Sequence, residues 1–276
     1  MRITPETITA RKNPTVMLAA SLSEKKYRDK YGLFLAEGYK LCEEAVAASA
    51  PVSHVLLSEE YATAHLPKIK KLFSSPLYEG TRLSVLSASC FEKITTEKSP
   101  EGIILLIKHL DISKYCIKID VDYSESVGSA IFLSSIRDPG NLGTVLRSAL
   151  AFGADSVILS EDCADLYHPR TVRAAMGAVF RIPTFRVADS MASVSALVAS
   201  GRRVFAAELR EHAVPVSSLT LSPSDVFLIG NEGHGIPTDL SDLCTASVYL
   251  PIAKDSESLN AAVAATVFLW EQSKTR

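Results

Sequence analysis

From residue 129 onward the chain alternates short apolar runs with amphipathic stretches. Runs that are apolar on consecutive residues occupy 131–134, 156–159, 181–185, 204–207, 226–229 and 248–250. Strands of that kind are buried on both faces, as in a parallel sheet covered by helices on each side. Stretches with helical spacing lie between most of them, at 142–152, 169–178 and 190–199, and Gly153 stands where a glycine closes a helix. The pattern predicts a doubly wound α/β domain. A last helix over 258–272 places Leu259, Ala262, Val263, Val267 and Trp270 on one face, with Ala264 and Phe268 on the other. A helix apolar all round is buried on both sides, within its own domain or against a second subunit.

The first 109 residues alternate in shorter pieces. Helical spacing covers 21–30 and 40–48, the latter with Leu41, Ala45 and Val46 on one side, and another helix passes through 69–73. Strands are expected at 54–57, 83–86 and 103–107, which predicts a mixed sheet with covering helices. Residues 110–128 sustain neither period, although 117–121 has the composition of an edge strand. The expected division is therefore a domain of 1–115, a linker to about 128, and a domain of 116–276.

Hydrophobic residues make up 47% of the chain and charged residues 22%, an ordinary globular composition. No apolar run reaches the roughly 20 residues of a membrane helix, and the start Met-Arg-Ile-Thr-Pro lacks the build of a secretory signal. A cytoplasmic protein without membrane attachment is expected. The five cysteines are scattered and the six histidines form no ligand pattern, so neither a disulfide framework nor a metal site is expected. The net charge of −2 divides unevenly: residues 1–115 hold 16 Lys/Arg against 13 Asp/Glu, and the remainder 13 against 18. The excess of cations mildly favours the first domain as the one facing nucleic acid. Lys25, Lys26, Arg28 and Lys30 around Tyr27 are its candidate phosphate contacts, with the solvated helix as the plainer reading.

Three segments of the second domain set glycine, asparagine and proline against apolar runs: Arg137-Asp-Pro-Gly-Asn-Leu-Gly-Thr-Val-Leu-Arg147, Ile229-Gly-Asn-Glu-Gly-His-Gly235, and Leu250-Pro-Ile252 followed by Ser258-Leu-Asn260. Turns of this kind build ligand sites at strand ends. The glycine spacing is not that of a dinucleotide-binding loop, and no Walker sequence occurs. Taken residue by residue, plainer readings stay open: surface solvation for Arg147, turn chemistry for Asn141, an N-cap for Ser258, and core packing for Leu250 and Leu259.

In order and spacing these segments resemble the motifs of the SpoU (TrmH-like) branch of the SPOUT methyltransferases. The likeness extends through Tyr167-His-Pro169, Thr171-Val-Arg-Ala174 and Met176-Gly-Ala-Val-Phe-Arg-Ile-Pro183. Lys25-Lys-Tyr-Arg-Asp-Lys30 and Phe34-Leu-Ala-Glu-Gly38 look like that family's substrate-binding domain, a small ribosomal-protein-like α/β module. His168 and Leu250 depart mildly from the family's usual Asn and Ile.

The resemblance implies an α/β knot, a trefoil-knotted parallel sheet that periodicity alone never proposes. It also implies S-adenosylmethionine as methyl donor, a ribose 2′-hydroxyl of RNA as acceptor, and a homodimer through the C-terminal domain. On this sequence it places the cofactor at Gly230, Leu250 and Leu259, with Ala207, Glu208, Leu209, Asn231, Gly233, Ile252 and Ser258 beside it. The implied catalytic set is Asn141, Arg147, Glu232, Ser258 and Asn260. Arg147 has two candidate roles, gripping a phosphate of the RNA or helping deprotonate the hydroxyl. A guanidinium pKa above about 12 makes the first chemically easier. Ribosomal RNA is the expected substrate. A transfer RNA methyltransferase, or an RNA-binding member that has lost catalysis, is the alternative, and the intact polar set argues against the latter. A hydrolase built on Ser258 or Cys163 finds no Gly-x-Ser-x-Gly elbow and no histidine placed by sequence to activate either residue.

Overall fold

The computed structural model describes residues 5–110, 128–253, 255–256 and 258–275. They form two compact units, one of residues 5–110 with 165–180 and the other of 128–164 with 181–275. The 110–128 boundary and its suggested edge strand lie, past Leu110 and before Gly128, outside the described residues. Among the described residues no helix is long and apolar enough to cross a membrane.

The first unit carries β1 (Glu6–Ile8), β2 (Leu33–Glu37), β3 (Val52–Ser58), β4 (Arg82–Leu86) and β5 (Ile103–Lys108) in the order β1-β4-β3-β5-β2. β4 pairs in parallel with β1 and β3, whereas β5 runs antiparallel to β3 and β2, so the sheet is mixed as expected. Its helices are α1 (Pro14–Ser21), α2 (Lys25–Tyr31), α3 (Tyr39–Ala47), α4 (Glu59–Leu72) and α5 (Ala88–Glu92). The helix expected over 21–30 is α2, which begins at Lys25, and α1 ahead of it was not expected. Asn13 caps α1 by accepting from Thr15 N–H, with Pro14 at the first helical position, and α1 ends at Ser21. Arg28 Nη1 then donates to Leu22 O and Ser23 O at 2.8 Å each, satisfying carbonyls that the break would otherwise orphan.

In the second unit β6 (Ala130–Leu133), β7 (Ser156–Ser160), β8 (Thr184–Val187), β9 (Val204–Ala207), β10 (Val214–Pro215), β11 (Val226–Ile229) and β12 (Ala246–Tyr249) form one sheet, ordered β10-β12-β9-β11-β6-β7-β8. Every pairing in it is parallel. All residues of β6, β7 and β11 are buried, which is why these strands read as unbroken apolar runs. The remaining helices are α6 (Pro139–Ala151), α7 (Pro169–Ala175), α8 (Ser190–Ala199), α9 (Thr238–Ser241) and α10 (Ala261–Ser273). α8 packs Val194 and Leu197 into a core with Phe132, Ile158, Val204 and Leu228. Phe268 of α10 packs at a tilt against Phe227, with ring centroids 4.8 Å apart. The last helix is buried along one face only, through Ala261, Ala265, Phe268 and Leu269, while Val263 and Trp270 remain about half exposed at 49% and 50%.

Residues 165–180, including α7, pack with the first unit, contrary to the expected boundary. Tyr167 stacks on Phe34 of β2 at 4.5 Å and on His109 at 4.4 Å, and its hydroxyl accepts from Leu110 N–H. Asp165 takes the Arg28 guanidinium. The segment is apolar and helical like its neighbours in sequence, and only these long-range partners assign it.

Candidate active site

A parallel sheet leaves its ligand crevice beyond the carboxyl ends of its strands. β12, β9 and β11 are adjacent, and the chain leaving each of them lines one cleft of about 290 Å³. Ala207 ends β9, with Glu208 and Leu209 after it; Gly230, Asn231 and Glu232 follow β11; Leu250 and Ile252 follow β12. Ser258 and Leu259, ahead of α10, close the remaining side with Ala261, Ala264 and Phe268 from the helix itself. All the expected cofactor residues line this cleft except Gly233. Tyr249, Ala264 and Phe268 were missed by sequence reasoning. Tyr249 was legible as the neighbour of Leu250, whereas Phe268 needed the path of α10.

The lining is mainly apolar, with Glu208, Asn231, Glu232 and Ser258 as its polar residues. The backbones of Leu209, Gly230, Leu250, Ile252 and Leu259 take no part in the turn, loop and cap hydrogen bonds among the described residues. Such a surface fits an adenosyl group, whose flat base seeks apolar walls and whose ring nitrogens and amine pair with backbone. Glu208 is partly buried, and its Oε1 accepts from Ser247 Oγ at 2.8 Å and from Ser241 Oγ, with Arg210 Nε at 3.5 Å. Its carboxylate is therefore held by the protein.

Gly230 is required for a reason other than closeness to ligand. A Cβ there would meet Gly235 C at 2.4 Å, Gly235 O at 2.5 Å and Ile236 N at 2.6 Å, all backbone. The loop after β11 folds back on itself: Asn231 and Gly235 exchange N–H···O bonds of 3.1 and 2.9 Å, and Gly235 adopts φ +68°. Asn231 fixes this loop by donating Nδ2–H to Ser135 O at 2.8 Å and accepting from Gly233 N–H at 2.8 Å and His234 N–H at 3.2 Å. Gly233 thus serves the loop.

Three of the five candidate catalytic residues form a directed chain. Asn260 Nδ2–H donates to Asn141 Oδ1 at 3.2 Å, and Asn141 Nδ2–H donates to Glu232 Oε1 at 2.5 Å. Each link is anchored at a helix start. Asp138 caps α6 by accepting from Asn141 N–H at 2.9 Å, and Asn260 Oδ1 caps α10 through Ala262 N–H and Val263 N–H. Hydroxyls of the same two helices meet farther along, Ser148 against Thr266 at 2.7 Å. Arg147 is exposed on α6 and makes no hydrogen bond or ion pair among the described residues. It lies six residues, or about 9 Å along the axis, beyond Asn141, and helical side chains lean back toward the N-terminus. Ser258 lines the cleft and is exposed. Cys163 is buried, its thiol donates to Leu133 O, and burial raises its pKa, which suits an inert core thiol.

The basic cluster of the first unit needs correcting. Arg28 is 2% exposed and gives Nε and Nη2 to Asp165 Oδ2 at 2.9 and 2.5 Å, so it offers nothing to a phosphate. Burial pushes the Asp165 carboxyl up, but hydrogen bonds from Arg28 and Tyr167 N–H and the Arg28 charge outweigh this and hold it below the usual value. Lys25 and Lys26 are exposed and paired with Asp29 and Glu24 at 2.7 and 2.9 Å.

A parallel α/β unit with an apolar cleft at three strand ends, bordered by an Asn–Asn–Glu chain, has the makings of a group-transfer site for an adenosyl cofactor. Residues 128–270 match the SpoU rRNA Methylase family and residues 13–105 the MRM3-like substrate binding domain. The chain belongs to the SpoU rRNA methylase family. It is 31% identical over 263 residues, 95% of this chain and 97% of the relative, to the 23S rRNA (guanosine(2553)-2′-O)-methyltransferase of Bacillus subtilis. It is 28% identical to mitochondrial rRNA methyltransferase 3A of Danio rerio, across 94% of this chain and 68% of that one. Among solved structures, the AdoMet-bound rRNA methyltransferase from Sinorhizobium meliloti superposes with a TM-score of 0.84 at 28% identity, covering 98% of this chain and 97% of the other.

Proposed function

We propose that this protein transfers a methyl group from S-adenosylmethionine to a ribose 2′-hydroxyl of ribosomal RNA. The observation that carries the reading is the Asn260–Asn141–Glu232 chain at the rim of the strand-end cleft, in a member of the SpoU family. When bound, S-adenosylmethionine supplies an electrophilic sulfonium methyl. Leu209, Gly230, Leu250 and Leu259 would hold the cofactor chiefly through backbone, with Phe268 and Ala264 as apolar lining. A ribose hydroxyl is a weak acid, so attack needs alignment and a proton acceptor. Asn141 fixes Glu232 Oε1, and Oε2 takes the hydroxyl proton. Arg147 grips the phosphate beside the target nucleotide, and Ser258 orients the ribose.

Membership of the SpoU family supports a knot, a dimer and selection of RNA by the first unit. The second unit carries a trefoil knot through the loops of the cleft. Two copies pair along α6 and α10, where Leu150, Val263 and Trp270 stand 39%, 49% and 50% exposed. The first unit selects the RNA, in the cytoplasm. Purified chain should bind S-adenosylmethionine saturably in the presence of a chelator and transfer labelled methyl to ribosomal RNA from a strain lacking the gene. Binding that required an added divalent metal, or transfer to transfer RNA alone, would redirect the assignment.

A further inference from the structure

α2 carries two tyrosines one helical turn apart, Tyr27 half-buried and Tyr31 exposed. Tyr27 and Tyr31 lie nearly parallel, with an interplanar angle of 13° and ring centroids 6.3 Å apart. Together with Pro14, Met17, Leu18 and Ser21 from α1 they wall a groove of about 440 Å³. Its apolar surface is open: Tyr31 is 45% exposed and Met17 47%. Core packing does not require aromatic rings at such positions. The groove is also ringed by ammonium groups. Lys26 Nζ stands 4.8 Å from the Tyr27 centroid and Lys30 Nζ 5.3 Å from that of Tyr31, while Lys93 Nζ touches Met17 Sδ at 2.9 Å. Lys26 is paired with Glu24, but Lys30 has no carboxylate partner among the described residues.

We infer that the Tyr27–Tyr31 groove seats one unpaired nucleobase of the RNA substrate, with the flanking phosphates on Lys30 and Lys93. A flat π-face suits any base, and cations at the rim suit the backbone on either side of it. Double-stranded RNA hides its base faces and is recognised by shape, so the groove selects single-stranded or bulged sequence. The inference rests on the reading that the first unit binds RNA. It transfers the recognition role from buried Arg28 to Tyr27, Tyr31 and Lys30.

The test uses the full chain and a short single-stranded oligoribonucleotide carrying one 2-aminopurine, whose fluorescence falls on stacking. The same strand in a duplex is the control. The parent should quench the single strand and leave the duplex unquenched. Tyr27→Leu/Tyr31→Leu should abolish the quench and weaken binding roughly 5- to 150-fold, the range for losing a base–aromatic stack. Tyr31→Trp should retain the quench, which separates stacking from damage to the fold. Lys30→Gln should lower the salt slope of single-strand binding by about 0.7. Equal quench in the leucine variant, or undiminished affinity, would overturn the proposal while leaving RNA binding intact. Failure of the parent to bind either RNA would overturn it together with the RNA-binding role of the first unit. Neither result bears on methyl transfer, which is read separately from cofactor turnover.

Discussion

Replacing Arg28 with Met tests whether this arginine holds the fold or touches RNA. In the native unit its guanidinium is 2% exposed, bonded to a carboxylate whose own side chain is 16% exposed and to the carbonyls of Leu22 and Ser23. Met fills similar space but leaves the Asp165 charge desolvated and two carbonyls without donors. Breaking a buried pair from one side costs about 3–5 kcal/mol, a large share of the roughly 5–15 kcal/mol that holds a domain together. Asp165→Asn should also destabilise, because an amide that keeps Oδ1 on Tyr167 N–H turns its Nδ2–H2 toward the Arg28 donors and leaves that buried guanidinium without a counter-charge. If the charge left behind is the main penalty, Arg28→Met/Asp165→Asn should be less destabilised than the sum of the single changes, with a coupling of about 2 kcal/mol. Urea unfolding followed by circular dichroism measures all four proteins.

The pH dependence of this pair has a definite sign. The Asp165 carboxyl lies below its ordinary 3.8 in the folded state, so the unfolded chain binds the proton first. The stabilisation is present above that value and is lost as pH falls through the lower folded one. The gap between parent and Arg28→Met should therefore narrow in acid. Strictly additive losses, or an Arg28→Met protein of parental stability with weakened RNA binding, would refute the reasoning.

Other expectations concern the second unit. Gly230→Ala should weaken S-adenosylmethionine binding, because relieving contacts of 2.4–2.6 Å with the Gly235–Ile236 backbone must displace the cleft wall. Calorimetry showing parental affinity would contradict that account. Glu232→Gln and Asn141→Ala should each lower kcat by roughly 10²–10⁴-fold with cofactor affinity within a few-fold, as measured by methyl release and cofactor titration. Val263→Asp/Trp270→Glu should convert a dimer to a monomer in sedimentation; a parent already monomeric would sink the proposed pairing.

Local pattern carried much of the second unit. β9, β11 and α8 fall on the ranges 204–207, 226–229 and 190–199 read from periodicity, because buried parallel strands and a capped helix each leave an unambiguous period. What stayed illegible was non-local. Arg28 and Asp165 are 137 residues apart, and nothing near either announces that a cation in a basic run is buried. The same holds for Tyr167 on Phe34, which removes 165–180 from the unit that surrounds it in sequence. β1 and β10, of three and two residues, are too short to show a period. The cleft-lining positions were legible through the resemblance, but the reason for Gly230 was not: its constraint is the returning backbone at Gly235, visible only in three dimensions.

The most direct test of the central claim is the chemical position of the transferred methyl. Ribosomal RNA methylated by the purified chain should be digested to nucleosides and separated by mass spectrometry, with the modified site located by its resistance to alkaline cleavage. The account predicts a single 2′-O-methylnucleoside, absent from reactions with Glu232→Gln. A methyl on a base, or a ribose methyl formed equally by Glu232→Gln, would contradict it.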